Sequence, residues 1–166
     1  MGKLYIAYGS NINLKQMKYR CPNSKVVGRG VVERWKLYFN LHADIRYTGN
    51  KEDVVPVLIW DIADEDWAAL DRYEGYPKYY ITDVIETQFL NSNDEVYKTE
   101  KCIAYIMTNE RGAGFAMPEE YYIQTIAMGY LENNIDLEYL YEALDYSNRN
   151  RIGLIEYYYN KTRERE

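Results

Sequence analysis

The hydrophobic positions of this 166-residue chain change period along its length, and those changes mark out its elements. "LYIAY" at 4–8 has the length of a buried strand, and it stops at Gly9-Ser10-Asn11, residues that favour a turn. Asn11 or Asn13 then caps a short helix over Leu14–Tyr19, which Pro22 closes. "VVGRGVVERWKLYFNLHA" at 26–43 alternates well enough to predict one long strand, bulged or bent at Gly28 and Gly30. A polar hairpin tip, "DIRYTGNKED", leads into the strand "VVPVLIWDI" at 54–62, where Pro56 calls for an edge or the start of a strand.

"ADEDWAALDRYEGYP" predicts a short helix with Asp64 as its cap, Trp67, Leu70 and Tyr73 at helical spacing, Gly75 past its end and Pro77 as the stop. "YYITDVIETQFL" and "EVYKTEKCIAYIM", joined by "NSND", predict a hairpin. "TNERGAGFAM" reads as a flexible loop; Pro118 opens a helix to about Glu132, and a second helix begins near Asp136. The "NKTRERE" tail is expected to be solvated and frayed. Many strands with few crossover helices favour a mixed or antiparallel sheet, and curling such a sheet removes its edges. The expected fold class is therefore α+β: a small closed mixed or antiparallel β-barrel flanked by helices, in a single domain over 1–160 with a charged tail at 161–166.

Composition adds constraints to this plan. Hydrophobic residues at 47% and charged residues at 28% suit a soluble globular domain. Aromatic residues reach 16% and include 20 tyrosines, which suit walls that are apolar in body and polar at the tip. A net charge of -6 argues against a nucleic-acid partner and leaves small molecules open. Cys21 and Cys102 lie far apart with no CxxC spacing, so neither a disulfide framework nor a metal site is indicated. No basic stretch followed by an apolar segment precedes Tyr5 and no apolar run approaches about 20 residues, so neither a signal peptide nor a membrane span is expected and the protein is expected to be cytoplasmic. The Tyr-rich "IEYYYN" suits either core cover or a homodimer contact.

There is no GxxxxGK[ST], GxGxxG or HExxH motif. His42 is the only histidine, and a triad with Ser10 would lack the Gly-x-Ser-x-Gly elbow, so His42 reads as a surface or hydrogen-bonded core residue. Proton transfer then falls to a carboxylate, a lysine or a tyrosine. Glu74 stands out: it ends a helix, where the dipole disfavours an ionised carboxylate, with Asp71 on the same face and several tyrosines around it. These effects point to a raised proton affinity; the alternative is an ordinary helix-end glutamate facing water. Tyr8-Gly9-Ser10-Asn11 is either a plain strand-to-helix turn or a notch of backbone N–H groups that holds an anion. Tyr122 reads by default as core packing.

Three ordered segments, "YIAYGSN", "LDRYEGYPKYY" and "YIMTN…MPEEYYIQTIAMGYLENNIDLEY", together resemble the γ-glutamylcyclotransferases, including the γ-glutamylamine branch, from Tyr5 to about Tyr139. The resemblance implies a closed barrel with flanking helices and a cofactor-free, metal-free enzyme that releases 5-oxoproline from a small γ-glutamyl substrate. It implies Glu74 as the catalytic general acid and base. Tyr5, Ile6, Ala7, Tyr8, Gly9 and Ser10, supported by Asn11, would cradle the substrate, with Tyr80 as a wall and Tyr122 as a contact. Asn134-Ile135-Asp136 departs from the family's Gly-Leu-Pro-like stretch, "ERGAGF" lengthens the preceding loop, and Glu74-Gly75-Tyr76-Pro77 looks more like the amine-specific branch. Other readings are a γ-glutamylamine-specific enzyme, a non-catalytic binding module on the same barrel, and amide hydrolysis.

Overall fold

The computed structural model describes residues 3–108 and 114–163. Five strands close a barrel in the order β1 (Lys3–Ala7), β5 (Val54–Ile62), β2 (Lys25–Glu33), β6 (Tyr80–Leu90) and β7 (Val96–Met107). Four of the pairings are antiparallel, and β7 returns to β1 in parallel at Tyr5 and Ile103, so the barrel is mixed as expected. Beside it stands a two-stranded sheet, β3 (Trp35–Asn40) with β4 (His42–Tyr47). The helices are α1 (Leu14–Arg20), α2 (Trp67–Glu74), α3 (Glu120–Glu132) and α4 (Glu138–Arg163).

β5 reads as a continuous apolar run because it pairs on both sides, with Val55 through Trp60 all buried. Pro56 sits within this strand without breaking the barrel. It lies opposite Val31 of β2, while β1 reaches only as far as Leu58, so no β1 partner needs the missing N–H. The bulge expected near Gly28 is present as a register shift between Val26 and Gly28.

Several expected boundaries move. The long strand over 26–43 is two strands, because Arg34 adopts φ 71° and turns its backbone out of the ladder toward Asp53 and Thr48. The first part of the polar tip that follows, 44–47, belongs to β4, which is reached through Leu41 at φ 64°. Asp64 does not cap α2: Asp64–Asp66 form a 3₁₀ turn, and the Asp66 carboxylate accepts instead from Asn23 N at 2.9 Å and Ser24 Oγ at 2.8 Å. Pro118 precedes α3 by two residues, because the chain before it stays extended while Ala116 bonds to Phe39 and Leu41. α4 starts at Glu138, whose N–H donates to Asp136, and continues as helix through Arg163, further than the frayed tail expected from Asn160. The loop expected at 108–117 and the end of the tail fall partly outside the described residues. No helix among the described residues is long and apolar enough to cross a membrane.

Candidate active site

β1 ends at Ala7, and Ser10–Ile12 turn as a short 3₁₀ segment into α1. Asn13 is the helix cap, accepting from Gln16 N at 3.0 Å, which leaves the Asn11 side chain available for other partners. The turn is held from two sides. Trp60 Nε1 of the barrel donates to Asn11 O at 3.2 Å, while α3 engages it through Asn13 Nδ2 to Thr125 O at 3.0 Å and Asn133 Nδ2 to Ile12 O at 3.1 Å. At Gly9 a Cβ would stand 3.1 Å from both Ala43 Cβ and Tyr122 Oη, so the lack of a side chain lets the turn approach β4 and α3.

α2 delivers the carboxylate. Its C-terminus is closed by Gly75 at φ 65°, with Gly75 N donating to Arg72 O at 3.2 Å and Tyr76 N to Asp71 O at 3.0 Å. This left-handed cap satisfies the last carbonyls and stops the helix at Glu74. Asp71, expected to crowd Glu74, instead accepts a hydrogen bond from Tyr105 of β7 at 2.5 Å, which ties α2 to the barrel.

Between these two parts lies a cavity of about 310 Å³. Tyr5, Tyr8, Gly9, Ser10, Asn11, Glu74, Tyr80 and Tyr122 all line it. Ile6 and Ala7 do not: they are buried in the core at 0% and 1% exposure, and alternation along β1 turns Ile6 to the face opposite Tyr5. The structure adds His42, Ala43, Arg72, Tyr73, Gly75, Tyr79 and Tyr105 to the lining. His42 stacks edge-on against Tyr122 with ring centroids 5.0 Å apart, and Ala43 anchors two wall tyrosines: its N–H donates to Tyr122 Oη at 3.1 Å and its carbonyl accepts from Tyr80 Oη at 3.0 Å. Tyr105 had a visible signal, since it lies within one of the motif segments; His42 and Ala43 are brought in by a hairpin that no local pattern places at the cavity.

Asn11 Nδ2 donates to Glu74 Oε1 at 3.2 Å and to Tyr5 Oη at 3.0 Å, which orients the half-buried carboxylate. Ser10 Oγ and Tyr73 Oη lie 2.7 Å apart, and Tyr8 donates to the Tyr105 carbonyl. Burial, then the charge of Glu74, pushes the Tyr5 phenol well above its ordinary range; burial and then Asp44 do the same for Tyr8. Burial, then its bond to Asp71, does so for Tyr105. These phenols therefore remain neutral near pH 7 and act as hydrogen-bonding groups rather than bases. Among the described residues no group of three or more His, Cys, Asp or Glu side chains is placed to hold a metal ion.

The closed mixed barrel with its flanking helices is a fold shared with solved structures. One, "Gamma-glutamyl cyclotransferase", aligns with TM-score 0.72 at 24% identity, covering 86% of each chain. The human protein loc79017, described as uncharacterized, aligns with TM-score 0.70 at 24% identity and the same coverage. YkqA from Bacillus subtilis aligns with TM-score 0.66 at 19% identity, over 89% of this chain and 54% of that one. No curated protein matches the sequence significantly. The sequence profile "Gamma-glutamyl cyclotransferase, AIG2-like" matches residues 5–124, and the chain belongs to that family.

Proposed function

We propose that the protein is a γ-glutamyl cyclotransferase that converts a γ-glutamyl amino acid or amine to 5-oxoproline and the free amino acid or amine, with Glu74 carrying the protons. The observation that supports it best is a carboxylate at the cavity wall, oriented by Asn11 and sharing the cavity with the Gly9–Asn11 turn, among phenols that burial keeps protonated.

The substrate supplies its own nucleophile. Its α-nitrogen attacks the γ-carbonyl carbon, the N–C bond of the five-membered lactam forms, and the bond to the departing nitrogen breaks. Holding the chain in the folded conformer provides the orientation that intramolecular reactions exploit. The α-ammonium sheds two protons on the way to the lactam N–H, and the departing nitrogen gains two to leave as an ammonium, so one carboxylate serves both in turn. The turn at Gly9–Asn11 offers donors for the glutamyl end or for the oxygen on which charge develops.

Glu74→Gln keeps size and shape but cannot move protons. It lowers kcat by about 100- to 10,000-fold, the range for loss of a general acid–base group, with little change in Tm. A variant folded like the wild type and within tenfold of its activity would refute the assignment.

A further inference from the structure

Behind the cavity, and outside its lining, one side chain touches both halves of the site. Arg20 ends α1. Its Nη1 donates to Asn11 Oδ1 at 2.6 Å, its Nη2 to Gln16 Oε1 at 2.6 Å, and its guanidinium carbon lies 3.3 Å from the centroid of the Tyr73 ring. Asn11 in turn donates to Glu74 Oε1, and Tyr73 Oη meets Ser10 Oγ. We propose that Arg20 is a positioning residue of this site: its fork fixes the Asn11 amide so that the NH₂ end faces Glu74, and its plane holds the Tyr73 ring over the same turn.

The chemistry leaves the amide one orientation. A guanidinium offers only donors and a carboxylate only acceptors, so an amide between them presents its oxygen to Arg20 and its nitrogen to Glu74. Without the guanidinium the amide is free to rotate, and either the donor to Glu74 is lost or a carbonyl faces a carboxylate. A lysine would keep the charge but could not bond Asn11 and Gln16 together while lying flat on a ring. Other titratable groups around the carboxylate are the phenols of Tyr5 on β1, Tyr8 just after it and Tyr105 on β7, those of Tyr73, Tyr79, Tyr80 and Tyr122 in the same lining, the Asp71 carboxylate, which Tyr105 binds, and Arg72 and His42 on the cavity wall. The alternative is a helix-end arginine that stabilises α1 alone.

The importance of Arg20 for turnover rests on the reading of Glu74 as proton carrier; its effect on the carboxylate does not. The test follows the Glu74 carboxyl by carbon-13 NMR, assigned by its loss in Glu74→Gln, in the full-length wild type, Arg20→Gln, Arg20→Lys and Asn11→Ala. Losing a donor to the charged form raises proton affinity, so Arg20→Gln and Arg20→Lys both move the titration upward. In the Asn11→Ala background Arg20→Gln adds little further shift, because the route through the amide is already gone. On a substrate that the wild type turns over, both Arg20 variants lose about 10- to 100-fold in kcat, the worth of about one charge-assisted hydrogen bond, with KM within about threefold. The inference is overturned if Arg20→Lys titrates like the wild type, which would leave only a charge effect. It is equally overturned if both variants lower Tm while the titration stays in place. A wild type that releases no 5-oxoproline would sink the proposed function, while the titration would still decide the role of Arg20.

Discussion

Replacing Gly9 by alanine tests whether the turn must approach β4 and α3 as closely as it does. The new methyl carbon would stand 3.1 Å from both Ala43 Cβ and Tyr122 Oη, so each neighbour must retreat by a few tenths of an ångström. The tyrosine hydroxyl, at the end of a side chain, yields first, and its bond from Ala43 N at 3.1 Å is strained or lost. A part-buried N–H left without its partner costs about 1–3 kcal/mol. For a domain of this size that lowers Tm by roughly 2–12 °C. Where the displacement reaches the bound substrate, it lowers kcat/KM by about 5- to 150-fold. The assay is thermal unfolding together with 5-oxoproline release for Gly9→Ala, Tyr122→Phe and the double variant. Tyr122→Phe removes one of the two overlapping atoms, so the alanine costs about 1 kcal/mol less in that background. Wild-type Tm and kinetics for Gly9→Ala, or an equal penalty in both backgrounds, would refute the packing argument.

Two further perturbations probe the supports of the cavity. The fully buried Asp44 accepts from Met107 N at 3.0 Å and from Tyr38, and lies 3.3 Å from Arg46 Nε; burial pushes its carboxyl upward despite these partners. A raised native value means that its stabilising contribution is complete below the unfolded Asp value of about 4 and is lost as pH rises through the native value. The Tm of the wild type minus that of Asp44→Asn therefore falls from about pH 4 toward neutrality, and a flat or rising difference would contradict it. At Gly129 of α3 a Cβ would come within 2.8 Å of Asn13 N and Ile12 C, backbone atoms that cannot swing aside. Gly129→Ala costs about 1–3 kcal/mol, read as a lower urea midpoint at unchanged m-value, and an unchanged midpoint would show that α3 does not press on the turn.

The barrel was legible because its strands carry their own signals. The unbroken apolar run of β5 marks a strand paired on both sides, and "NSND" between two long β-rich segments marks the hairpin of β6 and β7. The division between β2 and β3 was not legible, since an arginine, rather than a glycine, takes the left-handed conformation at residue 34. The two parts of the site at Gly9–Asn11 and Glu74 were visible as a strand end and a helix end. Ile6 and Ala7 were included because a motif is a contiguous string, whereas both side chains are taken up by the core, Ile6 on the face of β1 opposite Tyr5. His42 and Ala43 were hidden for a different reason. The hairpin that carries them is fixed by Ala116 and by Ser147 Oγ, which accepts from Phe39 N at 2.8 Å, and contacts so distant in sequence leave no local pattern.

Intramolecular cyclisation driven from Glu74 is tested most directly by incubating the protein with a γ-glutamyl amino acid and a γ-glutamylamine in ¹⁸O-enriched water and weighing the products by mass spectrometry. Cyclisation gives 5-oxoproline without heavy oxygen from at least one of them, because the α-nitrogen, not water, attacks the carbonyl. Glutamate carrying ¹⁸O, or no product from either compound, would contradict it.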